Sequence, residues 1–121
     1  MRIRLDHGSG VPLWTQVADA IARLIERGRL LPGDRLPSVR ELALELDLAP
    51  NTVARAYRWL RTEGRIEGRG RHGTFVSASA ATREAIADLR EAAESYVRRA
   101  RRLGFGSEAA RREVERALRG R

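Results

Sequence analysis

Leu36-Pro-Ser-Val-Arg-Glu-Leu-Ala-Leu-Glu-Leu-Asp47 runs directly into Leu48-Ala-Pro-Asn-Thr-Val-Ala-Arg-Ala-Tyr-Arg-Trp-Leu60. After a short gap comes Arg65-Ile-Glu-Gly-Arg-Gly-Arg-His-Gly-Thr-Phe-Val76. Ser38 and Glu41 have the spacing of a capping box, in which each side chain takes up a backbone N–H at a helix start. Val39, Leu42, Ala43 and Leu46 form one apolar stripe behind it, which predicts a short helix from Val39 to Leu46. Asp47 to Ala49 then make a tight turn, and Pro50 suits the first position of a second helix. That helix places Val53, Ala56, Tyr57 and Leu60 at i, i+3, i+4 and i+7, and Gly64 ends it.

Two short helices joined by about three residues form a helix-turn-helix. Arg65 to Glu67 and Thr74 to Val76 fit a two-stranded hairpin around a glycine- and arginine-rich tip. A helix-turn-helix followed by a basic hairpin is a winged helix. Upstream, Trp14, Val17, Ala18, Ile21, Leu24 and Ile25 share one broad face of a helix that Pro12 opens and Gly28 stops, with Trp14 expected in the core. Arg2 to Asp6 reads as an edge strand or an ordered arm. Pro32-Gly33 has the form of a type II turn, delivering Asp34 to Leu36 as a short strand able to pair with the hairpin.

Downstream, Ser77-Ala-Ser-Ala-Ala81 marks a composition shift. A long amphipathic helix is expected from Thr82, with Ile86, Leu89, Ala93, Tyr96, Ala100 and Leu103 spaced 3, 4, 3, 4, 3 as a heptad seam. Gly104-Phe105-Gly106 breaks it, and Ser107 is expected to cap a shorter helix with Ala110, Val114, Ala117 and Leu118 on its apolar side. The fold class is therefore mainly α with a small β hairpin. Residues 1–78 form a winged helix-turn-helix domain and residues 79–121 a two-helix tail.

The 121 residues carry a formal net charge of +8, and all 24 basic side chains are arginine. Seven arginines and seven acids balance over residues 1–48. Arg55, Arg58, Arg61, Arg65, Arg69 and Arg71 face only Glu63 and Glu67 over residues 49–73. The local excess thus sits on the second helix of the motif and the hairpin, a distribution that fits a polyanionic partner better than an ordinary solvated face. The absence of cysteine removes disulfides and thiolate zinc sites, and His7 and His72 have no carboxylates at ligand spacing, so neither a metal nor a cofactor is expected. No apolar run approaches the roughly 20 residues of a membrane span. The start lacks a signal-peptide core, which points to a cytoplasmic, nucleoid-associated protein and no membrane partner.

These motifs together resemble the DNA-binding domain of the GntR family of bacterial transcription regulators, and within it the short YtrA-like branch. The resemblance is carried by Val11-Pro-Leu-Trp14, Leu31-Pro-Gly-Asp-Arg-Leu-Pro-Ser-Val-Arg-Glu-Leu-Ala43, Pro50-Asn-Thr-Val53, Arg55-Ala-Tyr57 and Gly73-Thr-Phe-Val76. It covers roughly the first 78 residues. Ala49, Trp59 and Arg71-His72 depart from the family pattern, which has a Ser or Asn cap, a polar residue and a second glycine there. The resemblance implies that Arg40 reaches DNA and that the tail pairs protomers.

A recognition helix enters the major groove with its N-terminal residues on base edges. Pro50, Asn51, Thr52 and Arg55 occupy that part of the helix. Asn and Arg are the side chains that bond adenine and guanine in bidentate fashion. In the wing, Arg69, Arg71 and His72 suit a narrow minor groove, and Gly73 allows close approach. An alternative for Asn51 and Thr52 is that they satisfy N–H groups at the helix start. The expected function is a DNA-binding transcriptional regulator, a repressor acting as a homodimer on an inverted-repeat operator. A non-specific nucleoid-type binder and a protein-interaction winged helix are the competing classes. No enzyme is expected: about 43 tail residues leave no room for a catalytic domain, and there is no lysine for a cofactor. The sequence names no small-molecule effector. The seam's alternative occupant is the chain's own winged helix, and the arginine run Arg98–Arg102 reads as a solvated face, or as a contact with flanking DNA or with an acidic partner protein.

Overall fold

The capping box forms as the Ser38 and Glu41 spacing requires. Glu41 N–H donates to Ser38 Oγ at 3.0 Å and Ser38 N–H donates to Glu41 Oε1 at 2.8 Å, opening a helix at Val39–Leu46. In the computed structural model, which describes Met1–Gly120, five α-helices and three short strands follow one another. They are α1 (Leu13–Glu26), β1 (Arg35–Leu36), α2 (Val39–Leu46), α3 (Pro50–Thr62), β2 (Ile66–Gly68), β3 (Thr74–Val76), α4 (Ala80–Arg102) and α5 (Ser107–Arg119). The chain divides into two compact units, Met1–Ser79 and the residues from Ala80 onward.

The first unit is a winged helix. α1, α2 and α3 surround a core of Val17, Ile21, Leu42, Val53, Tyr57 and Leu60, to which the sheet adds Leu36, Ile66 and Val76. Fully burying a Leu, Ile or Val side chain stabilises by about 1.5–3 kcal/mol, so this cluster dominates the unit's stability. α2 ends on Asp47 in the left-handed region, and Leu48 N–H reaches back to Ala43 O at 2.9 Å, the six-to-one bond that closes a helix and turns the chain. Tyr57 then bolts α3 to the entry of α2, its hydroxyl donating to Pro37 O at 2.6 Å. Burial, then the charges of Glu41 and Glu45, push the Tyr57 hydroxyl's pKa well up, so it stays a protonated donor.

The sheet is antiparallel in the order β1-β3-β2, with Leu36 opposite Thr74 and Ile66 opposite Val76. The expected strand before Leu36 is thus present and pairs with the hairpin. The first hairpin strand lies one residue later than expected, because Arg65 turns out to meet Glu26 at 3.1 Å while Ile66 enters the core. Arg2 to Asp6 is an ordered arm rather than a strand. Gln16 clamps it by accepting from Asp6 N–H (2.8 Å) and donating to Asp6 O and Val11 O (2.9 Å each), while Ile3 and Leu5 pack against the core. Trp14 departs from expectation: it is half-buried, outside the fully buried set. As the second residue of α1, it lies at the open start of the helix.

In the second unit α4 starts at Ala80, two residues before the expected Thr82. Ser107 does not cap α5; Gly106 holds that position with no side-chain bond, so Ser107 is the first helical residue. Tyr96 donates to Ala110 O at 2.9 Å across the two helices, and Ala100 is buried between them. Among the described residues, no helix is long and apolar enough to cross a membrane.

Candidate nucleic-acid interface

α3 buries Val53, Ala56, Tyr57 and Leu60 and turns Asn51, Arg55 and Arg58 outward at i, i+4 and i+7. Its start is bare. Pro50 stands at the first helical position, and Ala49 offers no side-chain acceptor. Thr52 N–H bonds Ala49 O at 3.0 Å through the backbone. Among the described residues, no hydrogen bond takes up the side chains of Asn51 or Thr52, so neither serves the helix start. An uncapped helix N-terminus carries partial positive charge, which favours a phosphate nearby.

Asn51, Thr52 and Arg55 line one open surface cavity of about 540 Å³ together with Leu13, Trp14 and Arg58. The Arg55 guanidinium lies over the Trp14 ring, 4.6 Å from its centroid. Trp59 also meets Trp14, edge-on at 6.2 Å. Arg40 stands exposed on the first turn of α2, between the two residues of the capping box in sequence. Glu41's carboxyl is lowered below its ordinary range by the backbone and hydroxyl of Ser38 and, less, by Arg35, so it is ionised at neutral pH.

The wing divides its two arginines. Arg69 is held inside the sheet: Nε donates to Glu67 Oε2 at 3.1 Å, and the guanidinium covers the Phe75 ring at 4.2 Å. Its Nη2 is buried, with no hydrogen-bond partner among the described residues. Arg71 and His72 are exposed on a 3₁₀ turn at Gly70–His72. Glu67 is the acid beside the hairpin tip, and it also accepts from Ala78 N–H at 3.4 Å. Gly73 is required from within: its φ is 111°, and a Cβ there would sit 3.0 Å from Arg35 Nε, which itself donates to His72 O at 3.3 Å. Arg35 thus braces the wing from β1.

Three of these contacts were absent from the sequence reading. The Glu67–Arg69–Phe75 cluster had a partial signal: Glu67 pairs with Phe75 across the hairpin, and Arg69 follows Glu67 by two residues, just beyond the end of β2. Arg35 with His72 and Trp14 with Arg55 join distant segments, and no local spacing announces them. Among the described residues, no group of His, Asp or Glu is arranged to hold a metal.

The seam residues of α4 open to solvent. Leu89 is 63% and Leu103 66% exposed, Ala93 and Tyr96 are exposed, Ile86 is half-buried, and Ala100 alone is buried. A groove of about 590 Å³ runs between α4 and α5, lined by Leu89, Ala93, Tyr96, Val97, Phe105 and Val114 among others.

The family model described as bacterial regulatory proteins, gntR family, matches residues 13–76. The chain is 46% identical over 103 residues to the HTH-type transcriptional regulator Rv1152 of Mycobacterium tuberculosis, covering 85% of this chain and 83% of that one. Among solved structures it resembles YtrA from Sulfolobus acidocaldarius, a GntR-family transcription factor, with a TM-score of 0.61 at 38% identity over 74% of this chain and 95% of that one. It also resembles the DNA-binding domain of AraR in complex with operator ORR3, with a TM-score of 0.54 at 26% identity over 64% of this chain and 93% of that one.

Proposed function

Since this chain belongs to the gntR family of bacterial regulatory proteins and is a DNA-binding transcriptional regulator, we propose that it is a repressor that binds an inverted-repeat operator as a homodimer. In this reading residues 1–78 are the DNA-binding domain and residues 79–121 the dimerisation region. The observation that carries the DNA reading is α3: one face fully buried, the other presenting Asn51, Arg55 and Arg58 from an uncapped start. Pro50 lets that start approach the groove closely, Asn51 and Arg55 read base edges, and Thr52 adds a hydroxyl and a methyl. Arg40 contacts the backbone beside them. In the wing, Arg71 and His72 enter the minor groove; Arg69 joins them only by leaving Glu67, and Gly73 holds the tip's shape. The seam of Ile86, Leu89, Ala93, Tyr96, Ala100 and Leu103, open at Leu89, Ala93, Tyr96 and Leu103, pairs two copies, setting the recognition helices about one helical turn, or a multiple, apart. Occupancy of promoter DNA then blocks transcription.

Competition binding with single-base variants of a selected operator tests the base readers. Asn51→Ala is expected to cost on the order of 1–3 kcal/mol and to relax preference at one position per half-site. An equal loss on operator and random DNA reassigns Asn51 to phosphate contact.

A further inference from the structure

Resting on the reading of Arg55 as a base-contacting side chain, we propose that Trp14 of α1 is its positioning residue, holding the guanidinium at the edge of the cavity that Asn51 and Thr52 line. The guanidinium lies over the indole at 4.6 Å, and among the described residues no hydrogen bond or ion pair takes any of its donors. A cation–π contact restrains a guanidinium without consuming its N–H groups, so the donors that recognise guanine stay free. A long side chain loses rotamer freedom when it docks, and a side chain already restrained in the free protein loses less.

The brace is built from more than one contact. Trp59 lies one turn after Arg55 on α3 and meets the same indole edge-on at 6.2 Å, so Trp14 contacts two side chains of the recognition helix. Trp59 is 47% exposed and Trp14 half-buried, so neither indole is explained by core packing alone. The start of α1 is itself tied down by the Gln16 clamp on Asp6 and Val11, two residues beyond Trp14. Leu13 and Arg58 complete the cavity rim.

The test uses a duplex recovered from a random-sequence pool by repeated binding to the wild-type chain, with a scrambled duplex as reference. Arg55→Ala is expected to weaken the selected duplex by about tenfold or more, within the range for a bidentate base contact. Trp14→Leu weakens it by about two- to fivefold, Trp14→Phe, which keeps a ring face, loses less, and in the Arg55→Ala background Trp14→Leu adds nothing. Circular dichroism melts accompany each variant. A loss from Trp14→Leu that persists undiminished without Arg55 overturns the proposal, while the base reading by Arg55 stands. Conversely, an Arg55→Ala chain that binds the selected duplex as wild type does removes the base reading itself.

Should Trp14→Leu unfold, a graded series decides. In a Trp59→Phe chain Trp14 is the single remaining indole of the two, and increasingly fluorinated tryptophan weakens its π face while leaving its shape nearly intact. Affinity for the selected duplex is expected to fall stepwise along the series. A flat series overturns the positioning role.

Discussion

α3 and α4 are both amphipathic helices, yet they end in opposite states. Every apolar residue on the inner face of α3 is buried, with Val53 and Ala56 at 0% exposure and Leu60 at 1%. Along α4, by contrast, Leu89 and Leu103 remain about two-thirds open. The two sequences differ in period and in neighbours. α3 carries a short 3-4 pattern flanked on both sides by segments that fold back over it, α1 and α2 among them. α4 carries a longer seam, and α5 covers only part of it. A closed face reports the stability of its own unit; an open one needs a partner, and here that partner is proposed to be a second copy.

The widest break in that comparison comes from paired substitutions in the two faces. Leu60→Ala leaves a void in a packed core and is expected to cost the winged helix about 2–5 kcal/mol, read as an earlier transition in thermal or urea unfolding. Leu89→Asp is expected to leave that transition in place. It places an unpaired carboxylate in the proposed interface, a penalty of several kcal/mol, so light scattering should report a monomer and operator affinity should fall steeply. A Leu89→Asp chain that still runs as a dimer removes the seam as the interface. If the monomer instead loses its winged helix, the seam packs within one chain.

A finer contrast lies inside the wing. Arg71 is exposed at the tip with no partner among the described residues, whereas Arg69 is engaged by Glu67 and Phe75. Neutralising one phosphate contact changes the slope of log affinity against log salt by about 0.9. Arg71→Ala is therefore expected to lower the slope by about 1. Arg69→Ala is expected to change it little and to loosen the hairpin instead. Equal slope changes in the two variants mean that Arg69 leaves Glu67 on DNA.

The smallest effect concerns how the two helices of the motif begin, α2 with a full capping box and α3 with none. Because the Glu41 carboxyl is lowered in the folded chain, its contribution is present above the ordinary carboxylate value of 4.5 and is lost as pH falls through the lowered one. Melting temperature measured from neutral pH down to pH about 3 should therefore show a Glu41-dependent fall at the acid end. Glu41→Gln, which keeps an acceptor for the Ser38 N–H, should remove that component. Ser38→Ala should cost about 1 kcal/mol at neutral pH, and less at the acid end, where Glu41 is protonated. A profile identical in Glu41→Gln and wild type assigns the acid loss to other carboxylates.

Local chemistry was enough to read α2, the turn, α3 and the hairpin, because each is specified by neighbours in the chain. A capping box spans three residues, a helix stripe repeats every three or four, and a hairpin closes on its own tip. The stripe of Asn51, Arg55 and Arg58 was legible for the same reason: the face opposite a buried stripe is the exposed one. Local spacing misled where it was thin. Ser107 looked like a cap, but Gly106 ends the break and takes that place, and Trp14 looked like core because its helix face is apolar.

The winged-helix architecture, the basic recognition face and the heptad seam are all set by periodicity and charge along one segment, and so they are legible in the chain alone. Which of the described arginines are engaged depends instead on how the elements pack in space. Arg55 over Trp14, Arg35 against Gly73 and Arg69 over Phe75 join residues 41, 38 and 6 positions apart. A long flexible cation reaches whichever ring, carbonyl or carboxylate the folded backbone brings near. No rule of spacing sets that distance, because it comes from how helices and strands pack in space.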